Sequence, residues 1–117
     1  MCGIFGCVYL FGEKPNKRSI VKAVNSLSHR GPDDFGIENI DNVFIGHRRL
    51  SIIDPKSDAS KQPVKNTNSL LAYNGMIYNF NELKKKLSAN NIFEGNSDTE
   101  VLAKGLNQWG LKKTLNY

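Results

Sequence analysis

Cys2 is the second residue of a chain of 117, and that place gives its thiol a chemical option that other positions lack. If Met1 is removed, Cys2 carries a free α-amine beside its sulfur. An α-amine titrates near ~8 and a thiol near ~8.5, so the amine can take the thiol proton at neutral pH. One residue then supplies both nucleophile and base. Read from Met1-Cys2-Gly3 alone, a cysteine at the end of a strand is the simpler description of the same position. The chain's two cysteines, Cys2 and Cys7, make no disulfide framework. With His29 and His47 they contain no Cys-x-x-Cys, and neither histidine has a close ligand neighbour, so no metal site is expected. Cys7 alternates with Phe5 and Tyr9 in an apolar run and reads as a small core residue.

The elements that must position such groups follow from the apolar spacing. Residues 1–11 read as a strand. Residues 14–18 read as a polar turn, and Ser19 as the cap of a helix with Ile20, Val21, Val24 and Leu27 on one face. That helix must end before Gly31-Pro32, because the residue before proline avoids helical angles. Residues 35–38 and 43–50 predict two strands around Asp41-Asn42, followed by a polar loop holding Pro55 and Pro63. Residues 70–73 and 76–78 flank Asn74-Gly75, a dipeptide suited to a tight hairpin turn. Asn79 with Glu82, and Ser97 with Glu100, have the spacing of capping boxes. They open one helix with Phe80, Leu83 and Leu87, and another with Val101, Leu102, Leu106 and Trp109 that stops at Gly110. Ile92 and Phe93 read as a short strand between them. Strands first, helices packed on them and hairpin connections predict one α+β domain with mostly antiparallel sheet.

Hydrophobic residues at 39% and charged residues at 23% fit a globular chain. No apolar stretch approaches the ~20 residues of a membrane helix, and no secretory leader is readable, so a cytoplasmic protein with no membrane partner is expected. Lys+Arg exceed Asp+Glu by 16 to 11, a balance that could suit nucleic acid. The basic residues are scattered, with no interleaved aromatics, and Lys84, Lys85 and Lys86 read as the wet face of a helix. No nucleic-acid partner is expected.

Cys2-Gly3-Ile4-Phe5-Gly6, His29-Arg30-Gly31-Pro32-Asp33-Asp34, Gly46-His47-Arg48-Arg49-Leu50-Ser51-Ile52-Ile53-Asp54, Tyr73-Asn74-Gly75-Met76-Ile77-Tyr78-Asn79 and Gly95-Asn96-Ser97-Asp98-Thr99-Glu100 occur in this order. Together they resemble the glutaminase (class II glutamine amidotransferase) domain of glutamine-hydrolysing asparagine synthetases, from residue 1 to about residue 109. The resemblance implies the layered sheet-and-helix fold of the N-terminal-nucleophile hydrolases, glutamine as substrate, and Cys2 with its amine as nucleophile and base, forming a thioester. It implies the Asn74 side-chain amide and the Gly75 N–H as donors to the tetrahedral oxyanion. For the glutamine α-carboxylate it implies Arg49, whose planar fork can grip two oxygens, and for the α-ammonium Asp98. Leu50, Ser51, Ile52 and Ile53 would line the same pocket. An acid such as Asp98 also suits the first turn of a helix without any ligand, and the two readings are compatible. Arg30 is expected to be structural or gating, and Arg48 a solvent residue. Met76 stands in the substrate-binding set where the family usually has Glu, which implies weaker glutamine binding.

The family's domain continues beyond residue 117 and is followed by an ATP-dependent domain that activates aspartate. By that comparison residues 1–117 are expected to be part of a glutaminase domain, its sheet incomplete at the C-terminus, with the synthetase domain absent. No cofactor is expected in this chain, ATP and Mg belonging to the missing domain, and the full-length protein could be a homo-oligomer. Two rivals stay open: a glutaminase module from another amidotransferase, such as a sugar-amidating enzyme, and an inactive remnant serving as a binding or regulatory module.

Overall fold

Alternating side chains in β1 (Gly3–Val8) send Phe5 and Cys7 to one face and Ile4 and Val8 to the other. A computed structural model describes residues 1–51, 58–66 and 69–117. They belong to two compact units, residues 1–51 with 62–74, and residues 52–61 with 75–117. In the first, β1, β2 (Asp34–Ile40) and β3 (Val43–Arg49) form an antiparallel sheet in the order β1-β3-β2. Cys7 lies opposite Phe44, and Phe5 and Ile37 lie opposite Gly46 from either side. The helix α1 (Lys17–Asn25) lies on that face, burying Ile20 and Val24 against Phe44, with Phe5, Cys7, Tyr9 and Ile37 around them. Cys7 is therefore a core residue, as its spacing implied. The turn between β2 and β3 falls at Asp41-Asn42 as expected, with Asp41 in the left-handed region at φ 49°.

Several expectations need correction here. The first strand ends at Val8, and Leu10 and Phe11 are exposed. Helix α1 begins before Ser19, because Asn16 takes the cap: its side chain accepts the Arg18 N–H at 2.8 Å. The region read as a polar loop contains a strand, β4 (Val64–Asn66), which pairs antiparallel with β5 (Ser69–Leu71). Asn74-Gly75 is not a hairpin turn, since β5 stops at Leu71 and residues 76–78 form no strand. The backbone groups a hairpin would pair are otherwise engaged. The Tyr73 N–H donates to Gln62 Oε1 at 2.5 Å, and the Tyr73 carbonyl lies 3.2 Å from His47 Nε2.

In the second unit, α2 (Phe80–Leu87) and α3 (Asp98–Trp109) bury Leu83, Leu87 and Val101 among Ile77, Phe80, Phe93 and Trp109. Gly110, at φ 77°, ends α3 as expected and leads into α4 (Leu111–Leu115). Asn79 occupies the cap position of α2 without a capping hydrogen bond, its amide donating instead to Tyr117 O at 2.8 Å. Ser97 does cap α3, accepting the Thr99 N–H at 3.1 Å. Glu100 does not complete a box with it; its carboxylate accepts the Glu94 and Gly95 N–H groups at 2.9 and 3.0 Å. Ile92 and Phe93 are not a strand, because Phe93 turns into the core with the Lys84 and Lys104 ammonium groups 5.1 and 5.4 Å from its ring centre. Lys84 is thus not on a wet face: it also donates to Gly95 O and Asn96 Oδ1. The fold class is α+β with antiparallel sheets, and no helix among the described residues is long and apolar enough to cross a membrane.

The contact of α1 with the sheet is closest at Gly46, where a Cβ would sit 2.2 Å from Val24 Cγ2. Val24 is fully buried and β-branched, so it cannot swing away. Gly46→Ala is expected to cost about 1–3 kcal/mol in denaturant melts. Adding Val24→Ala should make the pair less destabilising than the sum of the two single changes.

Candidate functional site

The Gly3–Arg48 pair closes the register of β1 and β3, so Cys2 immediately precedes β1 and Arg49 ends β3. The chain holds Cys2 through three of its atoms. Its N–H donates to Asn74 Oδ1 at 3.2 Å, and its carbonyl accepts from Arg30 Nε at 3.0 Å. Its sulfur accepts the Leu50 N–H at 3.4 Å and lies 3.9 Å from Leu50 O. Arg30 is accordingly structural at this point. Arg49 is buried, 7% exposed, and its carbonyl accepts the Asp33 N–H at 3.1 Å. Asp33 Oδ2 takes the Ser51 N–H at 2.7 Å, so one acidic residue brackets the Arg49–Ser51 backbone. Arg48 is not the solvent residue its position suggested. Its Nε donates to Gly31 O at 2.9 Å and its guanidinium lies 5.7 Å from the Phe35 ring centre.

Asn74 is placed through its neighbour. Tyr73 gives its N–H to Gln62 Oε1, and its carbonyl lies 3.2 Å from His47 Nε2. A carbonyl only accepts, so the hydrogen of this pair is on Nε2. Burial, above all, holds the His47 pKa below its ordinary 6.5, and nearby Arg49 pushes the same way, while the Tyr73 carbonyl and Asp34 oppose it. His47 Nδ1 is buried and has no hydrogen-bond partner among the described residues. In the second unit, Gly75 and Met76 are exposed, and Asp98 is buried in the first turn of α3 holding the Ile77 N–H. Ile52 and Ile53 lie outside the described residues.

These residues can be compared with known proteins. Residues 1–117 match the model of a family described as a glutamine amidotransferase domain. The chain belongs to that family. It is similar to asparagine synthetase [glutamine-hydrolyzing] 3 of Bacillus subtilis (strain 168), 36% identical over 115 residues that make up 93% of this chain and 18% of the relative. It is 38% identical to asparagine synthetase [glutamine-hydrolyzing] of Zea mays over 113 residues, 94% of this chain and 19% of the relative. A putative asparagine synthetase [glutamine-hydrolyzing] 2 of Methanocaldococcus jannaschii is 36% identical over 130 aligned positions, 94% of this chain and 24% of the relative. The chain thus spans about a fifth of the length of these relatives.

Sequence reasoning about this amidotransferase domain singled out Cys2, Arg49, Leu50, Ser51 and Asn74, which the first unit brings together through strand ends and short hydrogen bonds. It missed Asp33, His47 and Gln62. Asp33 sits in the His29–Asp34 block, His47 was weighed only as a metal ligand, and Gln62 fell in a stretch read as loop.

The state of His47 has a consequence for stability. Below about pH 6.5 the unfolded chain binds a proton that the buried ring refuses, so stability falls with falling pH until the folded ring also titrates. The limiting slope for one such group is about 1.4 kcal/mol per pH unit. Melting temperatures of the wild type should therefore drop on acidification through this window. His47→Gln should melt with a shallower acid slope; an unchanged slope would show that the ring is not buried neutral.

Proposed function

We propose that this amidotransferase domain hydrolyses glutamine to glutamate and ammonia through a thioester on Cys2, as part of a glutamine-dependent asparagine synthetase. What supports the reading most directly is the Cys2 N–H donating to Asn74 Oδ1 while the Leu50 N–H approaches the sulfur. Once Met1 is removed, the nitrogen that Asn74 orients is an amine and can accept the thiol proton. The thiolate attacks the glutamine side-chain carbonyl carbon. With Asn74 Oδ1 turned to the amine, its Nδ2 hydrogens are what it has left to offer the oxyanion, joined by the Gly75 N–H. Collapse of the intermediate expels ammonia, which takes the proton held by the amine. Water, deprotonated by the same amine, then cleaves the thioester and releases glutamate.

The family resemblance assigns Arg49 to the α-carboxylate, Asp98 to the α-ammonium, and Leu50, Ser51, Ile52 and Ile53 to the pocket lining. Met76 lacks the charge that a Glu would add beside the ammonium. In the whole protein the ammonia passes to aspartate activated with ATP and Mg in a separate domain. No group of acidic, Cys and His side chains among the described residues could hold a metal ion, and no step here runs through one. A free thiol nucleophile suits the reducing cytoplasm.

Intact mass and ammonia release should track each other across preparations, since an amide nitrogen at Cys2 cannot act as a base. Full turnover by material that retains Met1 would overturn the mechanism. Arg49→Lys should raise the glutamine KM about tenfold or more despite keeping the charge, because a point charge replaces a bidentate fork. Met76→Glu should lower it. An unchanged KM in Arg49→Lys would remove Arg49 from the site.

A further inference from the structure

We propose that His47 is a positioning residue for the oxyanion donor: by holding the Tyr73 carbonyl, its Nε2–H sets the Asn74 side chain against Cys2. This rests on the glutaminase reading and adds a residue to it.

His47 lies in the middle of the sheet, opposite Ile4 on β1 and Gly36 on β2, and is 0% exposed. Gly36 leaves room for the Gln62 backbone, since a Cβ there would meet Gln62 O at 2.3 Å. Gln62 and His47 then hold Tyr73 from two sides, one at its N–H and the other at its carbonyl. The next residue is Asn74, whose Oδ1 receives the Cys2 N–H. The hydrogen bonds therefore run from the central strand through one peptide unit to the side chain that faces the nucleophile.

The chemistry of the imidazole is informative. An apolar residue would fill this position without burying an unpartnered acceptor, yet His47 Nδ1 is buried and has no hydrogen-bond partner among the described residues. What histidine offers here that leucine does not is the Nε2 donor. Arg49 and Asp34 are the charged groups that act on the ring, with opposite signs. Burial leaves a neutral donor as the working form, and the hydrogen on Nε2 is committed to Tyr73 O.

An oxyanion donor acts on the transition state, so misplacing Asn74 should lower kcat and leave KM nearly unchanged. A shift of ~1 Å in such a group can cost ~100-fold. The test compares four variants of the full-length protein with Met1 removed, reading ammonia release from glutamine and thermal melts. Cys2→Ala should abolish release; if it does not, the glutaminase reading fails and takes this inference with it. With that control met, His47→Gln, whose amide nitrogen can reach where Nε2 was, should keep kcat within about tenfold. His47→Asn, too short to reach Tyr73 O, and His47→Leu should each lose about 100-fold in kcat with KM within about threefold. The Gln and Asn pair decides the matter even if His47→Leu fails to fold, because both replace the ring by an amide. Equal losses in Gln and Asn, a rise in KM at constant kcat, or wild-type kcat in a folded His47→Leu would each overturn the proposal.

Discussion

Pairing of β3 on both of its edges is the constraint from which the rest of the first unit follows. A strand bonded to β1 on one side and β2 on the other cannot slip without moving every side chain to the opposite face. The register therefore fixes at once that Phe44 and Gly46 face α1 and that His47 and Arg49 alternate to the other side. Gly46 lets the helix settle onto the sheet, while Arg48 on the same face reaches Gly31 O and fastens the link that follows α1. Arg49 is consequently held by its strand, by the Asp33 N–H on its carbonyl and by burial, before any substrate is considered.

The second organising effect is the accounting of backbone polar groups outside the ladders. Residues 72–77 lie beyond β5, so their N–H and C=O groups need partners that no strand supplies. Side chains supply them: Gln62 for the Tyr73 N–H, His47 for the Tyr73 carbonyl and Asp98 for the Ile77 N–H. Between those anchors Asn74 and Gly75 are left exposed with their own groups uncommitted to a sheet. A hairpin at the same dipeptide would instead have paired the flanking Tyr73 with Met76 across the turn. The local preference of Asn-Gly for a tight turn was real, but it lost to side-chain partners that are distant in sequence.

That contest explains what could be read in advance. Features decided by near neighbours were legible: the β2–β3 turn at Asp41-Asn42, the stop at Gly110, the Ser97 cap, and Cys7 among Phe5 and Tyr9. Features decided by distant partners were not. Glu100 leaves the expected capping box because the Glu94 and Gly95 N–H groups need its carboxylate, and Lys84 leaves solvent because Phe93 and Gly95 draw it in. The candidate site divides the same way. Cys2, Arg49, Asn74 and Asp98 stand out by type and motif, whereas Asp33, His47 and Gln62 make hydrogen bonds to remote backbone, which no spacing reveals.

Asp98 shows why structural and chemical readings of one residue need not compete. Its place in the first turn of α3 favours a negative charge through the helix dipole alone. One carboxylate oxygen is used to hold the Ile77 N–H, next to Met76. Burial to 5% exposure raises the cost of leaving that charge unpaired. One of its oxygens is engaged by a backbone N–H and the helix N-terminus stands behind the group. The placement that serves the helix is therefore compatible with the ammonium contact proposed for this residue.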